Sequence, residues 1–177
     1  MEKWQTLSSR LVFERRRVRL VEDIVRLPGG QETDYLVLRA GPGVAVLALT
    51  ADRRVVLTRE YRHPVGEVIY DLPGGGTRHG ETLAAAARRE LREEAGLEAA
   101  DLVPLGSFFP SPARASTEVH VFLARRLSPA PRLPDPTEEI EVHYLPAAEA
   151  LAMVARNEIR DVTTVFALLM AEKRGLL

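Results

Sequence analysis

The stretch from Gly75 to Leu97, GGTRHGETLAAAARRELREEAGL, constrains this chain more than any other. It is entered through the turn Pro73-Gly74-Gly75-Gly76 and continues as a short polar loop. The pattern then predicts a helix from Thr82 to Ala95 that stops at Gly96. Thr82 is suited to the N-cap, alanines fill the interior, and glycine stands where a left-handed residue is wanted. Glu90, Glu93 and Glu94 recur at spacings of three and four, so they project from one side of this helix. Like charges so placed repel unless something positive lies among them. A hard divalent cation meets that need, because Mg²⁺ prefers carboxylate oxygens and keeps water and phosphate in its other positions. Taken alone, ExxEE also describes an ordinary solvated acidic face.

The wider spacing separates the two readings. Gly75 is followed after five residues by Glu81, and after seven more by Arg89-Glu90-Leu91-Arg92-Glu93-Glu94-Ala95-Gly96-Leu97. This pattern resembles the complete Nudix box, the loop–helix–loop signature of the Nudix hydrolases, with every defining position filled. The resemblance implies an α/β/α sandwich with a mixed β-sheet. It also implies a metal site of Glu90, Glu93, Glu94 and the Gly74 carbonyl for Mg²⁺ (or Mn²⁺), with Glu93 and Glu94 serving catalysis. Glu81 and Arg89 are then expected to orient the loop and the metal glutamates.

Composition narrows the class further. The chain has 177 residues, enough for one sizeable core, and a formal net charge of −1, which argues against a nucleic-acid partner. Cysteine is absent, so thiolate metal sites are excluded and a cytoplasmic setting is expected. The start, MEKWQTLSSR, carries no apolar stretch of signal-peptide length, and no run reaches membrane-spanning length. A small-molecule nucleotide substrate is the partner that the Nudix resemblance implies.

Residues 1–40 read as extended, with strands expected at Val18–Val21, Ile24–Leu27 and Tyr35–Leu38 around the turn Pro28-Gly29-Gly30. A small antiparallel sheet of this kind is hard to stabilise alone. In the ADP-ribose pyrophosphatase branch of the Nudix proteins such strands build a homodimer, so the resemblance implies a dimerising region at 1–40 ahead of a Nudix domain at 41–177. The run GVAVLALT, residues 43–50, suits a strand buried on both faces, followed by a strand at 54–58. Arg59-Glu60-Tyr61-Arg62 then resembles the Arg-Gln-Tyr-Arg element of that branch. Arg62, with Arg59 beside it, is expected to hold phosphate or stack on a base.

Two departures from the branch pattern stand out. Before the box, Asp71 replaces a usual glutamate and Gly74 a usual alanine, although glycine still supplies a carbonyl. After the box, strands are expected at Asp101–Phe109 and Val119–Leu123. Between them Pro112 sits where a proline marks the ADP-ribose subclass, within Ser-Pro-Ala in place of Ser-Pro-Gly. The general base of this loop is normally a glutamate three residues before the histidine that corresponds to His120. Thr117 holds that position here, and Glu118 follows one residue later, a shift that reverses side-chain direction in an extended segment. Glu118 is a candidate base, and Glu138, at the start of a strand expected to run to Pro146, is the second candidate base or a metal helper. Two helices, 147–156 and 160–174 with Asp161 as N-cap, close the chain. The activity implied is hydrolysis of a nucleoside diphosphate linked to a second group, ADP-ribose giving AMP and ribose 5-phosphate. Other nucleotide sugars or dinucleotides, or a Nudix-fold sensor without turnover, are the alternatives.

Overall fold

In the computed structural model, which describes residues 1–15, 18–133 and 139–177, the apolar run after Gly43 becomes strand β4 (Gly43–Leu49) at the heart of the larger sheet. Because side chains alternate along a strand, Ala45, Leu47 and Leu49 enter one apolar cluster, and Val44, Val46 and Ala48 enter another. β5 (Arg54–Arg62) divides likewise, sending Val55 and Leu57 to the first cluster and Val56 to the second. The sheet is thus covered on both faces, which explains why β4 reads as continuous hydrophobic sequence.

The sheet has seven strands, ordered β10-β5-β4-β9-β8, where β10 is Glu141–Pro146, β9 is Val119–Pro129 and β8 is Leu97–Phe108. β6 (Glu67–Asp71) pairs with β5, and the short β7 (Gly74–Gly76) pairs with β4. The β4–β9 pairing is parallel and the others are antiparallel, so the sheet is mixed. Helix α1 (Leu83–Ala95) covers one face through Ala86, Ala87, Leu91 and Ala95. Helices α2 (Ala147–Ala155) and α3 (Val162–Lys173) cover the other through Ala150, Met153, Ala167 and Leu168. The result is an α/β/α sandwich.

These residues, Gly43–Phe108 with Val119–Leu177, form one of two compact units. The other comprises Met1–Pro42 with Phe109–Glu118. It carries a three-stranded antiparallel sheet of β1 (Gln5–Arg15), β2 (Val18–Arg26) and β3 (Glu32–Arg39). β2 is one continuous strand where two short runs are expected from sequence, and its partner β1 lies in the stretch read as extended but given no strand of its own. Val21 and Val25 are buried on one side of β2 together with Asp23. The Asp23 carboxylate accepts hydrogen bonds from the Ser9 hydroxyl at 2.5 Å and from Arg39 at 2.8 Å. The Phe109–Glu118 segment belongs with these strands because it is bonded to β3. Leu38 N–H donates to the Arg114 carbonyl at 2.8 Å, Ser116 N–H to the Leu38 carbonyl at 3.1 Å, and the Tyr35 hydroxyl to the Ala113 carbonyl at 2.8 Å.

β8 begins at Leu97, directly after the helix, instead of at Asp101. β9 runs on to Pro129, well past Leu123. Each is extended by pairing with the other, from Leu97 opposite Pro129 to Phe108 opposite Val119.

Candidate active site

Helix α1 is placed by its two ends. The Thr82 hydroxyl accepts from Ala85 N–H at 3.2 Å, a cap whose loss costs a helix about 1 kcal/mol. Gly96 adopts a φ of 66°, and its N–H closes the last turn on the Arg92 carbonyl. Between these ends Leu91 is fully buried against the sheet, which turns Glu90 and Glu94 inward beside β7. Both glutamates are buried, and Glu93 is half-buried.

The glycine turn fits against this acidic side with no room to spare. Gly74 N–H donates to Glu94 Oε2 at 3.0 Å. A Cβ added to Gly75 would lie 2.5 Å from Glu90 Oε1, and one added to Gly74 would lie 2.5 Å from the Val44 carbonyl oxygen. Glycine at 74 is therefore required by the backbone packing here, beyond its being a tolerable replacement for alanine.

Arg89 organises the outer part of the site. It donates to both oxygens of Glu81, from Nε at 2.9 Å and Nη2 at 3.0 Å. Nη1 donates to Glu90 at 2.7 Å and to Glu93 at 3.0 Å, and Nη2 also reaches the Gly76 carbonyl at 3.0 Å. Arg78 adds a bond to Glu93 at 3.1 Å, and its backbone N–H donates to Glu81 at 2.9 Å. The bonds from Arg89 and from the Arg78 backbone hold the Glu81 carboxyl down at about 2. Glu81 first, then Glu90 and Glu93, raise the Arg89 pKa against the opposing cost of burial.

This network places a second positive group among the acids of α1, where the sequence pattern pointed to a divalent cation. The positive charge between Glu90 and Glu93 is the Arg89 guanidinium. Among the described residues, no three aspartate, glutamate, histidine or cysteine side chains converge as a ready set of metal ligands. The donor chemistry still suits a hard cation. Glu90 and Glu94 are carboxylates pressed against a backbone turn, in a cradle that a single Cβ would fill.

Gly74 and Gly75 also line a cleft of about 460 Å³, together with Arg62, Asp71, Asp161 and Thr163. Arg62 ends β5 and stands half-exposed at this cleft, with Nε 2.7 Å from Asp71 Oδ2 and Nη2 2.6 Å from Glu60 Oε1. Burial works against the Arg62 charge, but Asp71 and Glu60 outweigh it and hold the guanidinium more firmly protonated than usual. Burial pushes the Asp71 carboxyl up, opposed by Arg62 and reinforced by the nearby Asp161 charge.

Arg59 is not brought to this cleft. Three residues from Arg62 along one strand, it faces the other side of the sheet. There it donates to Glu141 at 3.2 Å and stacks 5.8 Å from the Tyr70 ring centroid. Pro112 is exposed and Glu118 half-buried, both in the Phe109–Glu118 segment that accompanies the N-terminal strands. Glu138 lies outside the described residues. Glu60 and Arg78 are neighbours of the candidate residues that the sequence reading did not single out, and Asp71 was noted only as a departure from the branch pattern. For Glu60 a signal existed, since residues two apart on a strand share a face and Glu60 had to accompany Arg62. Asp161 was read only as a helix cap, and it also lines the cleft, while its carboxylate accepts from Thr164 N–H at 2.7 Å.

The chain is similar to known proteins over most of its length. Residues 39–166 match the NUDIX domain, and residues 4–38 match the nucleoside diphosphate sugar hydrolase N-terminal domain. The chain is 32% identical over 166 residues to the ADP-ribose pyrophosphatase of Bacillus subtilis (strain 168), covering 93% of this chain and 90% of that one. It is 33% identical over 165 residues to the methanol dehydrogenase activator of Bacillus methanolicus, covering 92% and 89%. The crystal structure of an ADP compounds hydrolase shares the fold with a TM-score of 0.88 at 22% identity, covering 100% of this chain and 98% of that one. The chain belongs to the Nudix family and is a pyrophosphohydrolase of that family.

Proposed function

We propose that this protein hydrolyses the diphosphate bond of ADP-ribose to AMP and ribose 5-phosphate, using Mg²⁺ or Mn²⁺. The observation that carries the reading is the packing of the Glu90 and Glu94 carboxylates against the Gly74–Gly75 turn, whose two glycines also line the cleft holding Arg62. The similarity to the Bacillus subtilis ADP-ribose pyrophosphatase and the presence of Pro112 support this choice of substrate.

Glu90, Glu93, Glu94 and the Gly74 carbonyl would hold the cation. When bound, a divalent ion neutralises diphosphate charge and lowers the pKa of a coordinated water. Arg89 and Glu81 keep the acidic side chains in place, so little reorganisation is needed as substrate enters. Arg62 contacts an anionic part of the substrate from the cleft wall. Glu118 takes the proton from the attacking water, and Glu138 is the alternative for that role. The N-terminal strands pair two copies into a homodimer. Support comes from exposed apolar residues along them, among them Leu11, Phe13 and Leu36.

A panel of nucleoside diphosphate sugars and dinucleotides, assayed with Mg²⁺ and with Mn²⁺, tests the reading. ADP-ribose is expected to give the highest kcat/KM with AMP as product, and chelation is expected to abolish turnover. Equal turnover of unrelated nucleotide sugars would remove the ADP-ribose assignment. Tight binding without AMP release would favour a sensor.

A further inference from the structure

We infer that Asp71 and Glu60 are positioning residues that aim Arg62 into the cleft. The inference rests on the reading of Arg62 as a substrate contact and assigns the two acids that make that contact possible.

The argument starts from strand register. Glu60 and Arg62 are two apart on β5 and so share a face. Asp71 is opposite Thr58 across the β5–β6 pair, which puts it on that same face. Both acids are buried, with side-chain exposures of 8% for Glu60 and 7% for Asp71, whereas Arg62 keeps 43% of its side chain exposed. Buried charges next to an exposed one hold it from behind. Asp71 Oδ2 takes Nε at 2.7 Å and Nη2 at 2.6 Å, while Glu60 takes Nη2 at 2.6 Å.

A guanidinium is a rigid planar fork, so fixing two of its three nitrogens fixes the third. The closest contacts of the two acids are made to Nε and Nη2, Glu94 adds its charge nearby, and Arg62 still keeps 43% of its side chain exposed where it lines the cleft. An unsupported arginine at a strand end would sample many rotamers and lose that freedom on each binding event. Two buried carboxylates remove this loss in advance. Their negative charge also weakens the pull of Arg62 on any anion, so the arrangement favours a ligand that matches the fork's direction over one that merely carries charge.

The test is a double-mutant cycle on the full chain, using whichever nucleoside diphosphate substrate the unaltered protein hydrolyses best. Arg62→Ala is expected to raise KM about tenfold with kcat changed less than about threefold. Asp71→Asn and Glu60→Gln, which keep shape and remove charge, are each expected to raise KM about threefold to tenfold. In the Arg62→Ala background neither should raise KM further, because both act through that arginine. Arg62→Lys should lie close to Arg62→Ala, since an ammonium keeps the charge but not the fork.

If Arg62→Ala leaves KM unchanged, the substrate-contact reading fails. If it raises KM while Asp71→Asn and Glu60→Gln do not, or if their effects persist in the Arg62→Ala background, the positioning inference alone is overturned. Circular dichroism melts on each variant identify any that fail to fold. Glu60→Gln and Asp71→Asn test the inference separately.

Discussion

Arg89 and Arg62 each stand among acidic side chains, yet they are held in opposite ways. Arg89 is 12% exposed and gives all three of its nitrogens to Glu81, Glu90, Glu93 and the Gly76 carbonyl. Arg62 is 43% exposed, and its two acidic partners sit behind it on the sheet. The first is a strut inside the acidic network, and the second is a tethered probe at the cleft. Burial and the direction of the bonds decide which role an arginine takes. Charge alone does not, because both are surrounded by carboxylates.

The largest expected effect comes from removing the strut. Arg89→Ala leaves Glu81, Glu90 and Glu93 without their shared counter-charge, and kcat should fall about a hundredfold while KM changes little. A loss confined to KM would make Arg89 a substrate contact and erase the contrast with Arg62. Gly75→Ala sharpens the same point with a smaller effect. The added Cβ meets only the end of the Glu90 side chain at 2.5 Å, so that carboxylate must move while the backbone stays. Turnover should drop about tenfold with the melting temperature nearly unchanged. Wild-type turnover in this variant would mean that the position of Glu90 is unimportant.

The smallest effect is in pH dependence, and the two regions should differ in sign. Glu81 is depressed in the folded state to about 2, by Arg89 and the Arg78 backbone. It contributes stability above its ordinary carboxylate range, lost only as pH falls toward about 2. Asp71 is raised by burial, so its folded form binds protons more readily than the unfolded chain, and its contribution improves as pH falls. Melting curves between pH 7 and pH 3 should therefore show two trends. The deficit of Glu81→Gln relative to the unaltered protein should persist through most of that range. Any advantage of Asp71→Asn should shrink as the solution is acidified. Parallel trends in the two variants would contradict the assigned causes.

Where sequence sufficed, local chemistry fixed the outcome. Thr82, Gly96 and Asp161 mark helix ends through bonds made within a few residues, and the structure has those ends. The alternation of β4 across two apolar clusters was similarly readable from its unbroken hydrophobic run. Arg59 and Arg62 show the limit of motif reasoning, since the resemblance grouped two arginines that strand parity sends to opposite faces. Parity was readable once β5 was known to continue to Arg62, whereas the sequence pattern ended it at Thr58. The Phe109–Glu118 segment could not have been assigned locally. Its link to β3 joins Leu38 to Arg114 and Ser116, and no nearby pattern announces a pairing at that separation. The Arg89 network was half visible. The resemblance gave Glu81 and Arg89 an orienting role, but their bond to each other and the place of Arg89 between Glu90 and Glu93 required side-chain geometry.

If the acids of α1 are arranged for a divalent cation, the ion should bind before any substrate does. Titration of the purified protein with Mn²⁺, followed by the loss of the free-ion paramagnetic resonance signal, tests this without any substrate. The unaltered chain should bind Mn²⁺, and Glu94→Gln and Glu90→Gln should each weaken binding at least about tenfold while melting normally. Equal Mn²⁺ affinity in all three proteins would mean that these carboxylates do not hold the ion.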